Sequence, residues 1–476
     1  ITKGVVVFNT TDKKLISGDL LFPSLIRGNA GFIKDNQGGI WISNYTGKVW
    51  SIDNQLKTFQ LELVPPGLMK LIDDERFQFV ADQHQNVWIS TYGNGLFSYN
   101  RIDKSLHHYP YSRYPDNLKS NYLLSLLTDN HGHLWVGTEN MGINKLSFSN
   151  RNVQQLFPDP LNQIRNGNVV RTLLEDSSGS IWVGTKAGNL YKYSSDLRNR
   201  TTVFENSHSV YALYEDKQGT VWIGTRGNGV LAMPKGKNTV QENYRNTNEP
   251  DGLSDNNVFS LTSDRKGRMW VATFGGGVSV LDNNSFRSFF NNDEWTRFSR
   301  YLFLDSKGKM WVATSNGVMR FYPDSLLANK NSYEYFTFDS QDEASLSNPE
   351  VRYIFEDSNN NIWLATSGGG LNLFTGVSEN GNGRFRIFKN PQGIANDNIL
   401  TIQEDENKQL WISTEGGLLK FNPATSIFQF FKFSNDFSAN IFTETAGITC
   451  RDGRMIWGSL NGFYVFRPAD VHSSDK

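Results

Sequence analysis

Three arginines and two aromatic residues recur at one step of a repeated phrase, each five residues before an aspartate: Arg171, Tyr211, Phe259, Arg300 and Arg352. A guanidinium forks a carboxylate or sulfate through two parallel N–H bonds, and an aromatic face stacks on the apolar side of a sugar ring. If the five converge, they form a pocket for an acidic oligosaccharide. The same step carries Ala30, Phe77, Leu124 and Leu400 in other copies, so packing does not dictate its residue type. Two residues further on the type is apolar and nearly constant (Phe79, Leu126, Leu173, Leu213, Leu261, Leu302, Ile354, Ile402), which marks a core position. The plainer alternative is that the arginines pair with Glu175, Glu356 or other acids at sheet edges and line a wet channel.

What must position these residues is a repeat marked by tryptophan. Ten of the 12 Trp (Trp41, Trp88, Trp135, Trp182, Trp222, Trp270, Trp311, Trp363, Trp411 and Trp457) share one local context, at intervals of 40 to 52 residues. Such periods belong to propeller blades or solenoids. Around Trp222 the chain reads ALYEDKQGTVWIGTRGNGVLAM: short alternating runs separated by Asp and Gly turns, the pattern of antiparallel strands. Nothing inside a unit resembles a helix of ten or more residues, so blades are expected rather than helical repeats.

Nine units place an Asp six residues before the Trp: Asp35, Asp82, Asp129, Asp176, Asp216, Asp264, Asp305, Asp357 and Asp405. Six of them have Gly three residues after that Asp. A hairpin explains the pair, because the carboxylate caps turn N–H groups while Gly accepts positive φ. Gln85, Asn360 and Lys408 replace the Gly elsewhere, so the turns at Gln85 and Lys408 are expected to differ in shape. Eight units carry Thr three residues after the Trp, then a Gly-rich turn, a third strand and a variable fourth. Four strands make one blade. The Trp is expected to pack between neighbouring blades.

The phrases GLSDNNVFSLTSDRKGRMWVAT (252–273) and SNPEVRYIFEDSNNNIWLATSGGGL (347–371) resemble the two-component-regulator propeller repeat, and the resemblance runs through practically the whole chain. It implies the periplasmic sensor region of a hybrid two-component system of glycan-degrading bacteria, the ectodomain of an inner-membrane protein. Family members carry two seven-bladed propellers, an immunoglobulin-like domain, a membrane helix, a histidine kinase and often a DNA-binding regulator. The last unit, AGITCRDGRMIWGSLNGFYVFRPADV, shortens the Asp-to-Trp gap to five and resembles the closing blade. The fold expected is all-β: a β-propeller of four-stranded antiparallel blades, with one complete seven-bladed ring and part of a second propeller. Residues 1–155 would be the C-terminal blades of an incomplete first propeller, 156–470 the seven-bladed ring, and 471–476 the start of a linker to an immunoglobulin-like domain. A single ten-bladed ring is the competing arrangement. The chain opens on Ile1, as a processed or excised piece would, and kinase activity would lie outside it.

In a propeller the turn between the second and third strands and the segment leading into the next blade emerge on one face, where ligands bind. That turn adds Lys186, Arg226 and Phe274 to the candidate ligand contacts, along with Tyr45, Tyr92, Glu139, Asn140, Asn228, Asn316 and Glu415.

Composition narrows the class. Forty-seven Lys+Arg against 48 Asp+Glu give a net charge of -1, without the cationic excess that phosphate recognition needs, so no nucleic acid is expected as partner. No run approaches the roughly 18–20 apolar residues of a membrane span, and no membrane contact is expected within this region. A single cysteine, Cys450, excludes an internal disulfide and a Cys-based zinc cluster. The seven His show no metal-ligand spacing, and no cofactor is expected. The Asp phrase is similar to the sialidase Asp-box, where the Asp also only forms a turn. A glycosidase would need two carboxylates about 5–10 Å apart; Glu139 and Glu415 fall in different expected rings. No catalytic residue is assigned. A ligand sensor binding an oligosaccharide is the reading adopted, with a homodimer left open. A secreted propeller lyase or hydrolase and a protein-binding scaffold are the rivals.

Overall fold

The computed structural model describes residues 6–9, 13–17, 30–34, 40–44, 49–52, 59–63, 77–82, 86–100, 105–111, 118–129, 133–146, 153–161, 164–205, 208–237, 239–247, 249, 251–283, 285–389, 397–431 and 441–471. They are almost all strand and turn, with one short α-helix at Pro323–Ala328 and a 3-10 turn at Pro468–Asp470. The chain divides into two compact units, Ile1–Phe148 and Ser149–Lys476.

The second unit holds seven four-stranded antiparallel sheets. One is Val258–Ser263, Met269–Thr273, Gly277–Asp282 and Ser285–Phe289, paired in sequence order. Its second strand is buried along its whole length. A middle strand packed on both faces has no polar side to show, so the period-2 alternation fades there. The inner strands Val170–Glu175, Val210–Glu215, Val258–Ser263, Ser299–Leu304, Val351–Glu356, Ile399–Glu404 and Phe442–Thr449 follow one another as neighbours, and Phe442–Thr449 in turn lies against Val170–Glu175. We refer to their sheets as blades one to seven. The fourth strand of blade seven is Gln154–Leu156, from the beginning of the unit, paired with Gly462–Phe466. The expected boundary at residue 155 therefore falls inside a strand of the second unit.

The repeat tryptophans are the cement between blades. Trp270 packs with Leu302, Met310 and Val312 of the next blade, and Trp311 with Val351, Ile354 and Leu364. Each indole also needs an acceptor, since an unpaired buried N–H costs about 1–3 kcal/mol. The repeat Asp supplies it. Trp88, Trp135, Trp182, Trp222, Trp270, Trp311, Trp363 and Trp411 donate Nε1 to the Asp six residues earlier, at 2.7–3.0 Å. The other carboxylate oxygen caps the turn, as where Lys309 N–H meets Asp305 Oδ1 at 2.8 Å. One residue thus ties hairpin to core. Trp457, whose Asp stands five residues before it, is buried with no acceptor for Nε1; Asp452 accepts from Arg454 instead.

Lys408 corrects one expectation. It adopts φ +57, and its N–H meets Asp405 O at 2.9 Å, as Gly308 does with Asp305. The carboxylate bonds hold the turn shape without glycine. Gln85 lies outside the described residues.

The first unit contains two four-stranded sheets, starting at Ala30–Lys34 and Phe77–Ala81, and a three-stranded one of Leu123–Thr128, Leu134–Thr138 and Ile143–Leu146. Val6–Asn9 and Lys14–Ser17 form a hairpin. Apolar residues of the three-stranded sheet face solvent: Leu127 is 63% exposed and Ile143 is 72% exposed.

Candidate functional site

The variable step is a β-bulge. In blades one to six the inner strand skips one residue of the ladder, between Val170 and Thr172, Val210 and Ala212, Val258 and Ser260, Ser299 and Tyr301, Val351 and Tyr353, and Ile399 and Thr401. The residue left unpaired is Arg171, Tyr211, Phe259, Arg300, Arg352 or Leu400. A bulged residue leaves the regular in–out alternation and its side chain is re-aimed, which frees its type from packing. In the first unit Leu124 sits on the same bulge, whereas Phe77 pairs regularly with Thr91 and Ala30 with Asn44.

Five of the eight expected contacts form one continuous array. The Arg171 guanidinium lies 5.1 Å from the Tyr211 ring centroid, Tyr211 lies 4.8 Å from Phe259, and Phe259 stacks at 4.9 Å on Phe274. Arg300 covers Phe274 at 5.0 Å. Phe274 belongs to the turn between the second and third strands of blade three, and its N–H meets Asn257 O at 2.9 Å. Turn and inner-strand start therefore share one rim. Lys186 and Arg226 are on that rim, their N–H groups bonded to Val169 O and Ser209 O at 2.8 and 2.9 Å. Their side chains are exposed, and no ion pair or ring contact joins them to the array among the described residues.

Arg300 and Arg352 are held by carboxylates, as the plainer reading of the arginines expects, though not by the acids named for it. Arg300 Nη2 lies 2.9 Å from Glu350 Oε1, and its Nη1 lies 3.2 Å from Glu444 Oε1. Arg352 Nε is 3.2 Å from the same Glu350 oxygen, and Nη1 is 3.9 Å from Glu415. Glu175 instead accepts the Arg451 N–H at 2.9 Å, and Glu356 accepts the N–H and hydroxyl of Ser306 at 2.8 and 2.6 Å. Ser177–Glu215 and Ser358–Glu404 repeat that clasp between adjacent blades. Arg171 has no carboxylate partner among the described residues, and its Nε is buried without an acceptor. Spacing within a repeat does not point to Glu350 or Glu444; the clasp has a signal, since Ser177, Ser306 and Ser358 each follow a repeat Asp and Glu215, Glu356 and Glu404 each precede one.

Below this rim the inner strands enclose a channel of about 410 Å³, lined by Tyr211, Phe259, Tyr301, Tyr353 and Thr445 among others. Tyr301 and Tyr353 pack at 4.3 Å, and Gln403 Nε2 donates to Tyr353 at 3.2 Å. Burial pushes the Tyr301 phenol well above its ordinary range and raises that of Tyr353 too. The channel wall is therefore polar but uncharged at this level. In the first unit Tyr92 hydroxyl donates to Glu139, and the Tyr92 and Tyr122 rings meet at 5.2 Å. His107 and His108 lie on an outer strand, with His108 stacked at 4.2 Å on Phe97. No group of His, Cys, Asp and Glu capable of holding a metal occurs among the described residues. Tyr45, His84, His131 and His472 lie outside them.

Radial four-stranded blades and a rim of re-aimed side chains over an axial channel define a repeat β-propeller with a ligand-contact face. The chain carries two-component regulator propeller repeats: that family's model matches residues 117–140, 164–187, 205–227, 252–275, 345–368 and 393–416. Among solved structures it is similar to the extracellular domain of a hybrid two component system from B. thetaiotaomicron, at 22% identity and TM-score 0.63, over 98% of this chain and 59% of that one. A second extracellular domain of a hybrid two component system from that organism matches at 18% identity and TM-score 0.54, over 100% and 69%. Virginiamycin B lyase from Staphylococcus aureus matches at 12% identity and TM-score 0.50, over 66% and 98%. At these identities the likeness is one of fold. This chain spans 59% of the length of the first of them. No curated protein matches it. No helix among the described residues is long and apolar enough to cross a membrane.

Proposed function

We propose that this chain is the ligand-sensing extracytoplasmic part of a hybrid two-component sensor, periplasmic in location, and that it recognises an oligosaccharide released from a glycan. The site is the rim of the Ser149–Lys476 propeller. The bulge repeated in six inner strands carries the reading, because it turns Arg171, Tyr211, Phe259, Arg300 and Arg352 out of the ladder at one common level. Tyr211, Phe259 and Phe274 offer stacking faces for sugar rings, and Arg171 has guanidinium N–H groups to give a carboxylate or sulfate. The match of its repeats to the two-component regulator propeller supports a sensor over an enzyme. Glu350 and Glu444, the rim carboxylates nearest the array, are both held by Arg300.

The seven blades of the second unit are proposed to form one complete ring. The three-stranded sheet of the first unit is proposed to be a blade of another propeller that takes a further blade on its exposed Leu127–Ile143 face.

Calorimetric titration against a panel of neutral, uronic-acid and sulfated oligosaccharides tests the reading. An acidic sugar should bind, and Arg171→Ala, Arg300→Ala and Arg352→Ala should each weaken it by about 1.5–3 kcal/mol, the range for charge-assisted hydrogen bonds. Equal affinity in all three variants removes the site. Turnover of a glycan fragment would favour the enzyme, and silence across the panel the protein-binding scaffold.

A further inference from the structure

Blade seven departs from the other six at the channel. Its inner strand pairs at Phe442↔Ser459 and next at Gly447↔Trp457, so five steps on one strand meet two on the other. Blades one to six skip a single residue. The surplus backbone is pushed toward the axis, where Thr445 lines the channel at φ +62. For a β-branched residue that conformation is strained and persists only when its surroundings enforce it. Next to it, Glu444 reaches Arg300 of blade four at 3.2 Å. Arg300 also gives Nη2 to Glu350 and Nε to Ser315 Oγ at 3.2 Å. The guanidinium placed to fork a ligand's carboxylate is thus already occupied from within.

We infer that Glu444 is an internal stand-in for the acidic group of the ligand: it fills Arg300 and holds the strained 442–447 bulge inward, and an acidic ligand binds by displacing it. This rests on the sugar-sensing reading of the same rim. Glu444 is the replaceable carboxylate of the two. Among the described residues it pairs only with Arg300 and stands on a strained segment, whereas Glu350 is shared with Arg352 and its own N–H is fastened to Asn348 Oδ1 at 2.9 Å. Glu444 would therefore set specificity. A neutral sugar gains nothing from moving it, and an acidic one binds only if it exceeds what the internal pair provides.

Glu444→Gln in the whole chain keeps the side-chain size and removes the charge. Hydrogen exchange over 442–449 should rise about tenfold or more, and trigalacturonate should bind about tenfold tighter, as loss of one charge-assisted competitor implies. Maltotriose affinity should not change. Unaltered exchange overturns the inference whatever binds. Faster exchange with no trigalacturonate binding in either protein leaves the stand-in supported and sinks the sugar reading. Should the variant not fold, Thr445→Gly probes the same bulge by relieving its strain: slower exchange over 442–449 supports the inference, and unchanged or faster exchange overturns it.

Discussion

Ile143 and Leu190 hold the same place in consecutive repeats, eight residues after Trp135 and Trp182, yet Ile143 is 72% exposed and Leu190 is fully buried. Leu96, Val230, Val278, Val318, Leu371, Leu418 and Phe463 sit at the matching register of other blades, all at 0% exposure. What buries this position is the adjoining blade, and within the described residues of the first unit none covers Ile143. Ile143→Asp should leave stability within about 0.5 kcal/mol and reduce self-association. Leu190→Ala should cost about 2–5 kcal/mol. Denaturant melts and sedimentation of the two variants check both outcomes.

The Asp–Trp bond makes a prediction about acid. Burial alone would raise the Asp176 carboxyl, but bonds from Ser178, Trp182, Lys192 and the Ser180 N–H bring it down to about 2. A carboxylate whose folded value lies below its unfolded one, near 3.8, stabilises the fold above the unfolded value. That contribution is lost as pH falls from about 4 toward 2. Asp176→Asn should flatten the acid limb of a stability–pH curve and lower stability at pH 7. An unchanged acid limb would separate this carboxylate from the fold's acid sensitivity.

Arg171 sets binding against stability. Its Nε is buried without an acceptor, a cost that Met of similar length would not carry. Arg171→Met should keep or raise the melting temperature while weakening an acidic ligand about tenfold or more. A fall in melting temperature would show that its stacking on Tyr211 matters more to the fold than its unmet donor.

Cys450 is buried, and burial, with Glu175 and Asp452 nearby, pushes its thiol up to about 12. The thiolate is the reactive form, so the native protein at pH 8 should resist alkylation and label fully only in denaturant. Labelling kinetics followed by mass spectrometry check this.

Seen from these residues, the blade was readable because its determinants are local. Asp305 and Trp311 are six residues apart, and one carboxylate serves both the turn and the indole, so spacing alone encodes the hairpin. The rim was half readable. Arg171, Tyr211, Phe259 and Arg300 stand out by breaking the pattern of their position, yet Lys186 and Arg226, on turns of the same rim, have side chains that do not join the array among the described residues. Exposure on a turn says where a residue starts and not where its side chain goes.

By itself the sequence determined the unit of construction: four strands, the Asp–Trp spacing, the apolar step at Leu173 and its equivalents, and the variable step at Arg171 and its equivalents. Tertiary structure alone decided what the variable residues meet. Arg300 and Glu444 are separated by 144 residues and touch only because blade seven returns to blade one and its inner strand bulges to the axis. A hairpin is specified by contacts a few residues apart, whereas pairing across a channel depends on how many blades come together and which strand is overlong. No spacing within one repeat records either.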